Sequence, residues 1–451
     1  MKKRLVSIVL SIGMAAGLVG CGASTASSDT SDSASETSTE TAEASEEAAA
    51  EEASSGETKT LQFMWFSDTD VETQTMRSIL DSYEAENPGI KVELVEVPYA
   101  DLDQKLTMAI TGGEPPALAR VTRPEVYYSE ALVLNDSVGG SEAFLANYPD
   151  SIRANTNIYD AENDNIIAIP MELSVCTVIY NKTAFEKAGV EAPASSDECW
   201  TWEEFNEAMK KCIDSGAVRY GLDLDRTTQR WSNIFYEFGG RFLDDDGNPC
   251  FTSEAARAAL EFTKQSFDEG LWASSVYLGN EDSTNLFVSG QCAAHIGGSW
   301  KVGAYTTDIT DFEWGVTYLP YETVRANCTG PKFMMGFQGS GCEEEAADLL
   351  AYLASDAANS WYTECNFISP RNDAGDLTYA QNGEKFAILS EDAAASNDAY
   401  TKDSFAAVGY LGGMNTNIID AVCEYLAGEL TVDECMAQID SEGAELLETL
   451  E

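Results

Sequence analysis

Basic side chains are scarce in this chain. Its 451 residues hold 26 Lys and Arg against 77 Asp and Glu, a formal charge of −51 at pH 7. Residues 1–58 carry three basic and ten acidic residues, which leaves 23 against 67 for the rest, a charge near −44. Nucleic acids and anionic lipid surfaces are held by Lys and Arg that neutralise phosphates, so a surface this negative excludes them as partners. Histidine is nearly absent. His295, set between Ala294 and Ile296, is the only one. A Ser-His-Asp triad would have to pass through it, and a core side chain with its hydrogen bonds made is the expectation.

The eleven cysteines contain no C-x-x-C pair, and after Cys21 none are closer than Cys423 and Cys435. Zinc knuckles and thiol redox motifs need tighter spacing, no disulfide pairing follows from it, and most of these residues are expected as free thiols. Also missing are H-E-x-x-H, G-x-S-x-G, a phosphate-binding Walker loop and a dinucleotide fingerprint; GFQGSG at 336–341 does not match one. Neither a metal site nor a cofactor is expected. Glycoside hydrolysis needs only two carboxylates, so counting acids does not exclude it. Beyond residue 21 no apolar run is long enough to span a bilayer.

What is present begins with Lys2, Lys3 and Arg4, an apolar run over 5–19, and then Leu18-Val19-Gly20-Cys21. That pattern resembles the bacterial lipoprotein processing box, which implies a signal peptide over 1–20 and two acyl chains anchoring Cys21. Residues 22–58 have no aromatic, branched aliphatic or basic side chain. Such a stretch has nothing to bury and is expected, with Cys21, to form an acidic tether over 21–58. The remainder, with 44% apolar residues in the chain as a whole, suffices for two domains.

From Lys59 the periodicity changes. Residues 61–66 (LQFMWF) make a strand. Met76, Ile79, Leu80 and Tyr83 share a helical face over 72–86, Asn87-Pro88-Gly89 stops it, and 90–97 (IKVELVEV) alternates as a second strand. This βαβ unit predicts parallel strands. A helix follows from Asp101 until Gly112-Gly113. Later, Thr201-Trp202-Glu203-Glu204 is a capping box, with Trp202, Phe205, Met209 and Ile213 on the buried face behind it. The acidic turn Asp244-Asp245-Asp246-Gly247 lacks the spacing of a calcium loop. Between Ile166 and Lys182, two apolar β-branched runs are interrupted by Pro170 and Glu172, which suits a chain leaving one core for another.

The order of landmarks carries a resemblance. N-P-G-I-K-V-E (87–93), V-P-Y (97–99), T-G-G-E-P-P (111–116), I-P…Y-N-K (169–182), A-G-V (188–190), T-W-E-E-F (201–205), G-G-S-W (297–300), W-G-V-T-Y-L-P (314–320) and the run from Ala346 to Asp356 follow one another in this order. The stretch is similar to the extracellular solute-binding proteins of carbohydrate ABC importers, the family that includes maltose-binding protein. One departure is Pro116-Ala117, followed by Arg120 and Arg123. The resemblance implies an α/β, two-lobed fold of the periplasmic-binding-protein type (type II), each lobe a sheet flanked by helices and assembled from discontinuous segments. Residues 59–169 with about 318–352 are expected in the N-terminal lobe, and 170–317 with about 353–451 in the C-terminal lobe.

It further implies a monomeric, lipid-anchored protein on the extracellular face of the bacterial membrane, without enzymatic activity. Such a protein delivers a sugar, an oligosaccharide above all, to the permease subunits of an ABC transporter. The alternatives are the same fold around a peptide, polyamine or glycerol phosphate, and a surface glycoside hydrolase. A pyranose stacks its C–H face on a flat ring and pairs its hydroxyls with polar groups around it. Tryptophans at strand ends or beside loop glycines suit that role: Trp65, Trp231 and Trp300. Trp202 is expected in the core; Trp200, Trp272 and Trp361 stay open between the two. Asp68, Arg123 and Glu172 are the polar candidates, each with a salt bridge as its alternative, and the family pattern adds Asn415 in the loop before the helix at Asn417.

Overall fold

The computed structural model describes residues 58–148, 153, 158–375, 377–379, 381–394, 403 and 410–450. The expected signal segment, Cys21 and all of the acidic tether but Thr58 lie outside them. Two sheets organise the described chain. Their strands are β1 (Lys59–Trp65), β2 (Ile90–Glu96), β3 (Leu118–Val121), β4 (Ile169–Ser174), β5 (Cys176–Asn181), β6 (Tyr220–Leu224), β7 (Cys292–Gly298), β8 (Trp314–Thr317) and β9 (Gly330–Gly336). The first sheet has the order β2-β1-β3-β9-β4 and the second β8-β5-β7-β6.

Local sequence accounts for the elements. In α1 (Asp70–Glu86) the Thr69 side chain accepts the Glu72 amide, and the helix buries Met76, Ile79, Leu80 and Tyr83 against the sheet. It ends where the Asn87 amide reaches the Tyr83 carbonyl and Gly89 turns the chain at φ +109. The crossover returns β2 parallel to β1, with Lys59 opposite Ile90, and α2 (Leu102–Thr111) leads on to β3, also parallel to β1. In α3 (Trp202–Asp214) both halves of the capping box at Thr201 and Glu204 are made. The acidic turn near Asp244 closes on itself, its carboxylate accepting the amides of Asp246 and Asn248.

Each sheet has its own core, and these are the two lobes. Leu61, Phe63, Ile79, Leu118, Met171, Met335 and Leu350 belong to the first; Val178, Phe205, Leu222, Phe235, Ile296 and Val422 to the second. The chain crosses between them at Val175, returns through residues 318–329, and crosses again after α5 (Asn359–Cys365) toward α6 (Gly383–Ala394). Three expected boundaries move, the one at about 318 going to past Cys328, since Leu319, Ala326 and Cys328 belong to the second core. β4 lies in the first sheet, so the N-terminal lobe runs through Ser174 and does not stop at 169. Pro170 is tolerated because β4 is an edge strand and the pairing is irregular opposite it, between Lys332 and Phe333. The third segment also runs past 352, since Trp361, Tyr362 and Phe367 are part of the first core.

Candidate functional site

Parallel strands leave a ligand crevice outside their carboxyl ends. In the first sheet, the ends of β1, β2 and β3 deliver Ser67-Asp68, Pro98-Tyr99 and Thr122-Arg123 to one edge. In the second, the parallel pair β6 and β7 delivers Asp225-Arg226 and Ser299-Trp300. The two edges meet at Trp300. It leaves the second sheet at the end of β7, yet its half-buried indole packs on the first core.

Two cations flank that indole, one from each lobe. The Arg230 guanidinium, on α4 (Thr228–Glu237), lies 4.5 Å from the ring centroid, and Lys332 Nζ, on β9, lies 5.8 Å away. Each cation is tied to carboxylates behind it. Lys332 Nζ is 2.8 Å from Glu172 and 3.6 Å from Asp68. Glu172 is fully buried and also takes both oxygens to Arg120, at 2.9 and 2.8 Å. Arg120 donates onward to Glu72 at 2.8 Å and to the Phe66 carbonyl at 2.7 Å. Burial alone would raise the Glu172 carboxyl, but Arg120 and Lys332 outweigh it and hold the group below the usual range. Glu72 goes the other way, raised by burial against the pull of Arg120.

On the second lobe Arg230 reaches Asp225 at 3.3 Å, and Asp225 also meets Lys301 at 3.2 Å and accepts the Ser283 hydroxyl at 2.5 Å. His295 Nε2 faces Asp225 at 3.8 Å while Nδ1 pairs with the buried Asp223. Desolvation works against ionised Asp225, but His295, Arg230 and Lys301 prevail and hold it well below the carboxylate range. Desolvation prevails at Asp223, whose carboxyl is raised. His295 is fully buried within this lobe, away from solvent, as a link between two carboxylates.

The candidates thus separate. Asp68 is exposed, Trp300 is half-buried and Glu172 stands behind them, all three joined through Lys332. Trp65 and Trp231 are corrections, because both are 0% exposed. Trp65 is walled by Phe63, Trp361 and Arg120; Trp231 stacks on Phe235 beside Phe251, and its indole N–H donates to Thr263. A ring with its faces taken by protein has none left for a ligand. Glu172 is likewise closed to direct contact and acts as the pivot of the charge chain. Arg123 lies apart, paired with Asp103 at 2.7 Å and beside Gly412 on α7 (Tyr410–Ala427). Asn415 is exposed but sits inside that helix, in place of the expected loop, its carbonyl accepting the Thr228 hydroxyl. Trp202, Trp272 and Trp361 are core residues, and Trp200 packs at its margin.

Sequence reasoning missed Lys332 and Arg230. Arg230 stands next to Trp231, and one residue along a helix is a rotation of about 100°, which exchanges the two roles. Lys332 carried no signal, since its carboxylate partners Asp68 and Glu172 are more than a hundred residues distant in sequence. Among the described residues, no group of three or more His, Cys, Asp and Glu suits a metal ion, and no helix is long and apolar enough to cross a membrane. The ten described cysteines are free thiols. A half-buried indole ringed by fixed donors and acceptors, where two sheet edges meet, is equipped to bind a hydroxyl-rich solute.

Residues 68–360 match the family described as bacterial extracellular solute-binding protein. A putative binding protein of Brucella abortus is 25% identical over 332 residues, covering 68% of this chain and 75% of that protein. The lactose-binding protein of Rhizobium radiobacter is 22% identical over 343 residues, 72% of this chain and 76% of its own length. Among solved structures, an ABC substrate-binding protein from Listeria monocytogenes in complex with cycloalternan superposes with a TM-score of 0.73 at 18% identity. That alignment covers 86% of this chain and 99% of the other, a likeness of fold.

Proposed function

The chain belongs to the bacterial extracellular solute-binding proteins, and on that premise we propose that it captures a carbohydrate, above all an oligosaccharide, for an ABC importer. The observation that carries the reading is Trp300, a half-buried indole where the open edges of the two sheets meet, flanked by Arg230 and Lys332. Trp300 is half-buried at the meeting of the two edges, and Asp68 and Lys332 beside it offer an acceptor and a donor for sugar hydroxyls. The relative named for lactose binding and the cycloalternan complex of the same fold support a sugar.

The protein works by binding alone. The lobes swing about the crossings at Val175 and 318–329, close on the ligand, and the closed form docks on the permease subunits. The sealed environment of His295 supports a role without covalent chemistry. Acyl chains on Cys21 hold the monomer at the outer face of the membrane, and the acidic tether sets the lobes clear of it. Tryptophan fluorescence titrated with glucose, galactose, lactose, maltose, maltotriose and chitobiose, with small-angle scattering in parallel, tests the reading. A saturable change and a smaller radius of gyration are expected with at least one sugar. Silence across the panel at millimolar concentrations overturns it.

A further inference from the structure

The single histidine of the chain is sealed from solvent, yet a line of contacts joins it to Trp300. His295 lies on β7 opposite Asp223 of β6. Its Nδ1 pairs with Asp223 and its Nε2 faces Asp225 at 3.8 Å, so both ring nitrogens point at carboxylates. A neutral imidazole has one N–H and serves one of them; only the protonated ring donates to both. Asp225 in turn meets Arg230 at 3.3 Å and Lys301 at 3.2 Å, and Arg230 lies 4.5 Å from the Trp300 ring. The imidazole has little room to turn. Phe287 and Tyr305 pack at 5.7 and 6.0 Å between centroids, and a Cβ on Gly297 would fall 2.5 Å from Nε2 and 2.9 Å from the Lys301 stem. Charged and titratable groups surround it. β6 supplies Asp223 and, past its end, Asp225; the helix Lys301–Asp308 supplies Lys301 and Tyr305; β7 itself adds Cys292, whose thiol bonds Asp223. The helix Ser283–Val288 adds the Ser283 hydroxyl, which donates to Asp225, the Thr284 hydroxyl, which accepts from Lys301, and Asp282 at its cap. β5 sets Ile179 opposite the ring, and α3 packs Met209 and Cys212 into the same core.

We propose that His295 is a positioning residue for the solute site: its ring bridges Asp223 and Asp225, and through Asp225 keeps Arg230 seated on the Trp300 indole. When the ring gives up its proton, one carboxylate loses its donor. Asp225, no longer held from behind, draws more on Arg230 and Lys301, and the Arg230 guanidinium leaves its place over the indole. Solute affinity therefore follows the protonation of a group that the solute never touches. By linkage the effect is reciprocal, so a bound solute strengthens the ring's hold on its proton by the same factor. The inference rests on the carbohydrate reading for its ligand; the coupling to Trp300 needs none.

Because the chain has one histidine, isotope labelling of histidine in protein made without a histidine tag gives NMR ring signals of His295 alone. The ring is titrated between about pH 5 and 9, without sugar and with each of glucose, galactose, lactose, maltose, maltotriose and chitobiose. The Trp300 indole N–H peak, identified by its loss in Trp300→Phe, is followed alongside. In sugar-free protein that peak is expected to move over the same pH interval as the ring, and to stay still there in His295→Gln. A bound sugar is expected to shift the ring's titration upward by about half a pH unit, matching an affinity about threefold weaker once the proton is lost. The wild-type measurements carry the test if His295→Gln does not fold. A Trp300 peak that ignores the ring's titration, a titration that a bound sugar leaves in place, or a ring that holds one protonation state throughout each overturn the proposal, while the carbohydrate reading stands on the binding itself. If no sugar in the panel binds, that reading fails, and the sugar-free Trp300 peak alone decides for or against His295.

Discussion

Glu172 shows how much one side chain depends on its partners. As a lone carboxylate among hydrophobes it invites a ligand hydroxyl, but Arg120 and Lys332 already occupy its oxygens. Removing one member of a buried ion cluster leaves the others charged and uncompensated, a larger effect than the net worth of the cluster. Glu172→Gln is therefore expected to lower stability by about 3 kcal/mol, read from the urea midpoint. Ligand affinity should fall only as Lys332 loosens beside Trp300. An unchanged midpoint with abolished binding would return Glu172 to the list of direct contacts. Trp65 and Trp231 teach the complementary lesion. Composition marks an indole as a potential platform, and only its neighbours decide whether a face is free.

At the scale of elements, the end of β7 sets the pose of the half-buried Trp300 indole. A Cβ added to Gly298 would lie 2.0 Å from the Trp300 ring, a contact that real side chains do not make. The glycine is therefore required by the close approach of the ring, whatever the backbone conformation. Gly298→Ala is expected to push the indole from its seat between Arg230 and Lys332. Sugar affinity should drop by about tenfold or more, with altered Trp300 fluorescence and a melting temperature within a few degrees of wild type. Affinity equal to wild type would show that the pose of Trp300 does not matter. β4 argues in the same way about strands. The sequence reads as a break at Pro170 and Glu172, but Ile169–Ser174 is a strand, and its membership in the first sheet was decided by pairing with β9.

For the whole molecule, the crossings between lobes are tied at one buried carboxylate. Asp392, on α6, accepts the Leu319 amide at 3.4 Å and Asn327 Nδ2 at 3.1 Å, and pairs with Arg325. Asn327 also accepts the Cys176 amide at 3.0 Å and donates to its carbonyl at 2.9 Å, so the outgoing and returning segments are clipped together. Burial raises the Asp392 carboxyl to about 6, against the pull of Arg325. Buried Glu237 faces it as a second carboxyl, also raised by burial. The folded chain then holds a proton on Asp392 that the unfolded chain releases from pH about 4, so this group makes stability fall as pH rises toward about 6 and level above. The stability of wild type relative to Asp392→Asn is expected to drop by about 2–3 kcal/mol between pH 4 and 6 in urea unfolding. A difference that stays constant across that range overturns the assignment.

Sequence alone determined what local periodicity, capping and charge can carry. The βαβ start, the Thr201 capping box, the strongly acidic charge and the order of the family landmarks all depend on residues a few positions apart or on simple sums. Tertiary structure decided which tryptophans are sealed in a core, which carboxylate is already paired, and where one lobe ends. Those outcomes rest on contacts such as Glu172 with Arg120 and Lys332, or Trp300 with Arg230, whose partners are brought together only when the two sheets are assembled. A side chain's chemistry is written at its own position, but its availability is a property of whatever the fold sets against it.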